Sequence, residues 1–277
     1  MNSSRKIFAL SFILMFFMLS CSQNKTSQYS ENDASAHWRG IRAAYLGDSM
    51  TQLPRDSSKV YWYYLQGWLG IEPFVYGISG HQWDDIYDQA VRLQQERRDS
   101  VDAIFIFAGT NDYNHNVPLG TFYTETMKET NHYGEIVTRK FRTMNISDST
   151  FCGRINKVMS FLKDHFPEQQ IIMMTPLHRG FATFSDTNVQ PEESYCNAQG
   201  LFLESYINTL RQAADVWSVP VIDLYAKSGL YPLSDAHTRY FRNSETDRLH
   251  LNAEGNFRLA KTIQYQLNAL PATFVKK

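Results

Sequence analysis

Val101-Asp102-Ala103-Ile104-Phe105-Ile106-Phe107-Ala108-Gly109-Thr110-Asn111-Asp112 decides the fold. Its first eight residues are almost wholly apolar, with no polar residue on alternate positions after Asp102. A strand that faces water on one side alternates apolar and polar. One covered on both faces, as in a parallel sheet, reads as a continuous apolar run. Gly109 then stops the run, and Asn111 and Asp112 fall at its carboxyl end, the edge where open α/β sheets bind ligands.

Working outward, the same pattern recurs. Ile41–Leu46 is an apolar run closing on Gly47-Asp48-Ser49, and Pro73–Tyr76 closes on Gly77. Gln170–Thr175 and Val219–Leu224 supply two further strands. Between them, apolar residues fall at helical spacing in Val60–Leu69, Trp83–Arg97, Ile155–Phe166, Tyr195–Trp217 and Ala253–Leu270. Strand–helix alternation predicts right-handed crossovers and a parallel sheet with helices on both faces. Three connections are long: 113–154, 177–194 and 225–252. Each leaves a strand at the carboxyl edge. The first is rich in Tyr, Phe and His, and is expected to wall a substrate groove.

Charge excludes some functions. With 27 Lys+Arg and 28 Asp+Glu among 277 residues, the formal charge is −1 and no basic stripe stands out. No nucleic-acid partner is expected.

The N-terminus reads as an export signal, covering residues 1–20. Arg5 and Lys6 precede an apolar run, Ile7–Leu19, too short to span a bilayer comfortably. Met18-Leu19-Ser20-Cys21 resembles a bacterial lipobox, which implies a lipid on Cys21. The expected product is an exported lipoprotein, in the periplasm or at the outer membrane, held to the membrane by that anchor. Residues 21–38 read as a flexible tether and 39–277 as one domain carrying the 113–154 insertion. Export also permits a disulfide between the two remaining cysteines, Cys152 and Cys196. Neither has metal-ligand spacing, the eight histidines are scattered, and no H-E-x-x-H occurs, so neither a metal nor a cofactor is expected.

Four short blocks carry chemistry. Gly47-Asp48-Ser49-Met50 ends the first strand, Gly77-Ile78-Ser79-Gly80 the second and Gly109-Thr110-Asn111-Asp112 the third. Asp247-Arg248-Leu249-His250 precedes the last helix. Spacing of three on a helical turn puts Asp247 and His250 on one face. Asp247 then orients the imidazole, whose other nitrogen serves Ser49, as acyl transfer requires. The α/β-hydrolase elbow G-x-S-x-G fails, because Thr51 stands where its last glycine belongs.

Together, in this order, the blocks resemble the SGNH (GDSL-type) hydrolase superfamily, over about Ile41 to Leu270. The resemblance implies a flavodoxin-like three-layer α/β/α sandwich with a five-stranded parallel sheet. It implies catalytic Ser49, Asp247 and His250. The oxyanion hole is then the Ser49 and Gly80 backbone N–H groups with the Asn111 side chain. Val75 stands where the family often has Asn in the second block. His81, Tyr113 and His115 are expected in the substrate groove. The implied function is ester hydrolysis through an acyl-enzyme. An O-acetyl or similar ester on carbohydrate is the first expectation, as in lipoprotein esterases of glycan-degrading bacteria. A lipase, lysophospholipase or short-chain acyl esterase is the alternative, and a non-catalytic binding lipoprotein on the same scaffold the remote one. The sequence sets no oligomeric state.

Overall fold

A computed structural model describes residues 36–54 and 57–274. In chain order, β1 (Arg42–Gly47), α1 (Tyr61–Leu69), β2 (Glu72–Val75), α2 (Trp83–Arg97) and β3 (Ala103–Phe107) open the fold. A short α3 (Thr110–Asn114) follows, then β4 (Tyr123–His132), β5 (Glu135–Met144), α4 (Phe151–His165) and β6 (Gln170–Met174). Next come β7 (Ala182–Ser185), β8 (Asn188–Gln190), α5 (Leu203–Trp217), β9 (Val221–Ile222) and α6 (Leu224–Lys227). The chain closes through β10 (Phe241–Asn243), β11 (Asp247–Leu251) and α7 (Ala253–Leu267).

The five-stranded sheet is parallel, in the order β2-β1-β3-β6-β9. Period-2 alternation splits its apolar side chains between two cores. Ile104, Ile106 and Met173 pack with α2, α4 and α5 residues such as Ile86, Val158 and Leu210. Tyr45, Phe105 and Ile172 pack with Leu65 of α1 and Leu259 and Ile263 of α7. The sheet therefore lies between two helical layers, as the resemblance implies. Strand order reverses between β1 and β3, and in such sheets the crevice at the reversal takes the ligand.

Several expected boundaries move. The tether ends earlier than residue 38: Ala36–Trp38 is a turn of 3-10 helix. Trp38 is wholly buried and its Nε1 donates to the Leu267 carbonyl at 2.9 Å, because an indole gains more in the core than in water. Cys21 and the apolar run before it lie outside the described residues. The long fourth helix starts at Leu203 and not Tyr195. The Asn197 side chain accepts from the N–H groups of Gln199 and Leu201, a local turn that competes with helix. Cys152 and Cys196 are both free. Cys152 is buried in the first turn of α4, packed into the apolar core, whereas Cys196 is exposed in the loop ahead of α5.

The 113–154 insertion departs most from expectation. Its middle is a two-stranded antiparallel ribbon, β4 paired to β5 from Tyr123↔Met144 to His132↔Glu135. Tyr133 and Gly134, both at positive φ, make the two-residue turn that a twisted hairpin requires. Nearly all its side chains are exposed. No helix among the described residues is long and apolar enough to cross a membrane.

Candidate active site

Ser49 follows the carboxyl end of β1, the strand at the reversal. Gly47 is clamped there by Gln89 of α2: its N–H donates to Oε1 at 2.9 Å and its carbonyl accepts from Nε2 at 2.8 Å. Asp48 then closes a tight turn, its Oδ1 accepting the Met50 N–H at 2.9 Å. This turn lifts Ser49 out of the strand and leaves its side chain part-exposed.

From the far end of the chain, His250 reaches the same point. Its Nε2 lies 2.9 Å from Ser49 Oγ, and its Nδ1 lies 3.1 and 3.0 Å from the two Asp247 oxygens. An ionised carboxylate only accepts, so Nδ1 carries a hydrogen toward Asp247. Nε2 is left as an acceptor for the serine hydroxyl. Asp247 and His250 do not sit on a helical turn. They lie on β11, where Phe241 pairs Leu251 but Asn243 pairs Asp247, so β11 holds two extra residues in a bulge. The bulge aims both side chains the same way, and Asp247 Oδ1 also accepts the His250 N–H at 2.9 Å. Burial alone would raise the Asp247 carboxyl. The hydrogen bonds and charge of His250, with Arg242 beside it, outweigh burial and hold the carboxyl below its ordinary value.

Asn111, in the first turn of α3, and Gly80, after β2, border the same cleft as Ser49. Asn111 Nδ2 spends one hydrogen on the His81 carbonyl at 3.0 Å, which leaves its second hydrogen free to donate. Gly80 has φ +82°, a conformation that a side chain would resist. Among the described residues, neither the Ser49 nor the Gly80 N–H has a partner. Three N–H donors without a described protein partner thus belong to residues that border one cleft with a hydroxyl already hydrogen-bonded to a base. Such an arrangement can receive a carbonyl, attack its carbon and hold the charge that forms on its oxygen.

The cleft has a volume of about 1060 Å³. Its walls come from the loop after β1 (Gln52, Leu53, Lys59), from β7 and β8 (Phe184, Asn188, Gln190), and from Arg242 and Leu249. Asn114 and His115 line it, as expected for His115. The other two groove candidates do not line it. Tyr113 is buried and its hydroxyl donates to the Tyr195 carbonyl, because a short helix turns this ring into the core. His81 turns its Nδ1 to Gln89 Nε2 at 2.9 Å, and only its backbone carbonyl serves the site. Of the 113–154 insertion, only Asn114 and His115 at its start line the cleft; the β4–β5 ribbon contributes no side chain, and Phe184, Asn188 and Gln190 of the β7–β8 hairpin supply further wall.

Two groups matter that sequence reasoning passed over. Arg179, after β6, is wholly buried, and burial pulls its guanidinium down to about 10. Asp48 is buried too; burial pushes its carboxyl up to about 6 against the Met50 N–H and the charges of His250 and Arg179. A buried Arg or Asp cannot be told from a surface one by residue type alone.

The family model of the GDSL-like lipase/acylhydrolase family matches residues 45–257. Among solved structures, a protein from Lactobacillus plantarum is 26% identical, with 83% of this chain and 97% of that one covered, at a TM-score of 0.62. A possible lipase from Chitinophaga pinensis is 18% identical, covering 83% and 98%, at a TM-score of 0.63. The acetyl xylan esterase AlAXEase is 21% identical, covering 82% and 99%, at a TM-score of 0.50. No curated protein sequence matches the chain. Spanning all four blocks and most of the sequence, the family match gives the conclusion that this chain belongs to the GDSL-like lipase/acylhydrolase family, enzymes that hydrolyse esters.

Proposed function

We propose that Ser49 is the nucleophile, His250 the general base, Asp247 its orienting partner, and that the ester cleaved is an O-acetyl or similar short acyl ester on carbohydrate. The observation that carries the mechanism is the continuous hydrogen-bonded line from Asp247 through His250 to Ser49 Oγ. His250 Nε2 takes the hydroxyl proton as Oγ bonds to the ester carbon. Charge moves to the carbonyl oxygen, where the Ser49 and Gly80 N–H groups and Asn111 Nδ2 stabilise it more than they stabilise the bound ester. The alkoxide leaves with the proton from His250. Water, deprotonated by His250, then attacks the acyl carbon and releases Ser49 and the acid.

The carbohydrate reading is supported by the walls. The cleft is open and carries the side-chain amides of Gln52, Asn114, Asn188 and Gln190. Amides donate and accept, which suits a hydroxyl-rich alcohol group better than a hydrocarbon chain. Met50, Leu53 and Val60 form an apolar stretch of the same cleft and favour a second reading, an acyl esterase for longer chains. Acid release from acetylated oligosaccharides, run beside nitrophenyl esters of increasing chain length, separates the two. Activity that rises with chain length and is absent on acetylated sugars overturns the first.

We further propose lipid anchoring at Cys21, on the strength of the Met18–Cys21 motif after its apolar run. Cys21→Ser should release the protein from membranes. A native protein that is already unlipidated overturns this.

A further inference from the structure

Arg179 makes side-chain bonds to four residues. Its Nη1 donates to Thr110 Oγ1 at 3.1 Å and its Nε to the Pro191 carbonyl at 3.2 Å. One nitrogen, Nη2, donates both to Asn114 Oδ1 at 3.1 Å and to Gln190 Oε1 at 2.6 Å. A guanidinium has donors and no acceptor, so the atoms that face it must be the amide oxygens. That fixes which way round both amides lie. Their NH₂ groups point away from Arg179.

Asn114 and Gln190 are both cleft-lining and half-buried. No described residue accepts from the Asn114 amide N–H groups. Gln190 Nε2 reaches only Asn188 Oδ1, at 3.4 Å. Asn114 ends the same short helix whose first turn carries Asn111, so its donors stand one turn from the oxyanion donor. Gln190 arrives from the other side, on β8, paired through Ala182 of β7 to Asp247. Among the described residues that line the cleft there is no carboxylate, so the one side-chain acceptor bonded to these hydrogens there is the amide oxygen of Asn188, at the long distance of 3.4 Å from Gln190 Nε2.

We propose that Arg179 presents Asn114 and Gln190 as a fixed pair of hydrogen-bond donors, a subsite for acceptor oxygens of the sugar that carries the ester. This rests on the carbohydrate reading above. Arg179 touches no substrate; it is a positioning residue. The sugar's hydroxyl, ring and glycosidic oxygens are the acceptors such a pair would take, and they are remote from the bond that breaks. Binding energy gained there is available to seat the ester carbonyl among the oxyanion donors.

The clean test exchanges donors for acceptors without disturbing Arg179. In Asn114→Asp and Gln190→Glu one carboxylate oxygen keeps the guanidinium, and the other replaces the NH₂ that faces the cleft. Both variants should fold, since a buried guanidinium gains a counter-charge. The measured quantity is the ratio of kcat/KM on acetylated xylo- and cello-oligosaccharides to kcat/KM on nitrophenyl acetate. We expect this ratio to fall tenfold or more in either variant. In a second measurement, deacetylated oligosaccharide competes against nitrophenyl acetate hydrolysis, and its inhibition constant should rise by a similar factor. An unchanged ratio and an unchanged inhibition constant, with wild-type enzyme active on the sugars, overturn the subsite alone. A wild-type enzyme that cleaves nitrophenyl acetate but no acetylated sugar overturns the carbohydrate reading, and the subsite with it.

Discussion

Gln89 of α2 grips Gly47 of β1 through both backbone groups, two residues ahead of the serine that His250 engages. The same Nε2 also meets His81 Nδ1, so one buried amide ties the end of β1 to the loop after Gly80. The serine's position and the Gly80 donor's position are therefore set by a common side chain. Gln89→Leu leaves the Gly47 N–H buried without an acceptor, while its carbonyl keeps the Ile78 N–H. One orphaned buried donor costs about 1–3 kcal/mol. Urea unfolding should show a loss of that size, and kcat should fall more than KM rises. A stable variant with wild-type kcat would show that the grip is unimportant.

Asp247→Asn tests the orienting role. Asn can turn its NH₂ toward His250 Nδ1, which then favours the tautomer with hydrogen on Nε2. That tautomer cannot take the Ser49 proton. Loss of kcat by about 10³- to 10⁴-fold is expected from the same change in serine proteases. Ser49→Ala should lose about as much, and the double variant little more, because the residues act as one unit. Losses that multiply in the double variant would show that Asp247 acts apart from Ser49.

Asp48 makes a signed prediction about pH. Its folded carboxyl titrates at about 6, against 3.8 for the ordinary group. The folded chain thus holds this proton more tightly than the unfolded chain does. Where the folded state binds more protons, stability falls as pH rises. Asp48 therefore costs stability progressively between about pH 4 and pH 6. Asn at this position keeps an acceptor for the Met50 N–H and has nothing to ionise. The stability of Asp48→Asn relative to wild type should increase from pH 4 to pH 7, measured by denaturant unfolding at each pH. A flat difference would mean that the wild-type carboxyl ionises as it does in water, and a falling one that the fold holds it below its ordinary value.

How legible the site was in the sequence follows the same physics. Ser49, Gly80 and Asn111 could be placed because each follows an apolar run ended by glycine, and ends of parallel strands are where such chemistry sits. Asp247 and His250 share a face through a bulged strand and not through a helical turn. Spacing of three suits a helical turn, and the bulge that joins them on β11 leaves no mark in residue type. Arg179 and Gln89 were invisible, since what makes them important is that water is absent around them. Tyr113 failed in the opposite sense. An aromatic beside the catalytic edge looked like a stacking face, but its ring is better buried, with its hydroxyl satisfied by a carbonyl.

The β4–β5 ribbon yields the last prediction. Read by composition, 113–154 was expected to stand over the catalytic edge. Its strands instead project, with Met127, Ile136 and Phe141 exposed and Tyr133 at 97% exposure. The strands pair with one another, and the join to the body is made at their base. There the Asn145 N–H donates to the Phe122 carbonyl at 3.0 Å, and buried Asn156 donates to the carbonyls of Phe122 and Asn145. Replacing residues 124–143 by a short Gly/Ser link keeps that base intact. A hairpin that buries neither face contributes little to the stability of the body. The shortened protein should unfold within about 1 kcal/mol of wild type. Its kcat/KM should be unchanged on nitrophenyl acetate and on acetylated oligosaccharides alike, because no ribbon side chain borders the cleft. Loss confined to the larger substrate would mean that the ribbon reaches over the site when substrate is bound, and would restore the groove-wall role. Equal loss on both, with lowered stability, would mean instead that the ribbon supports the helix that carries Asn111.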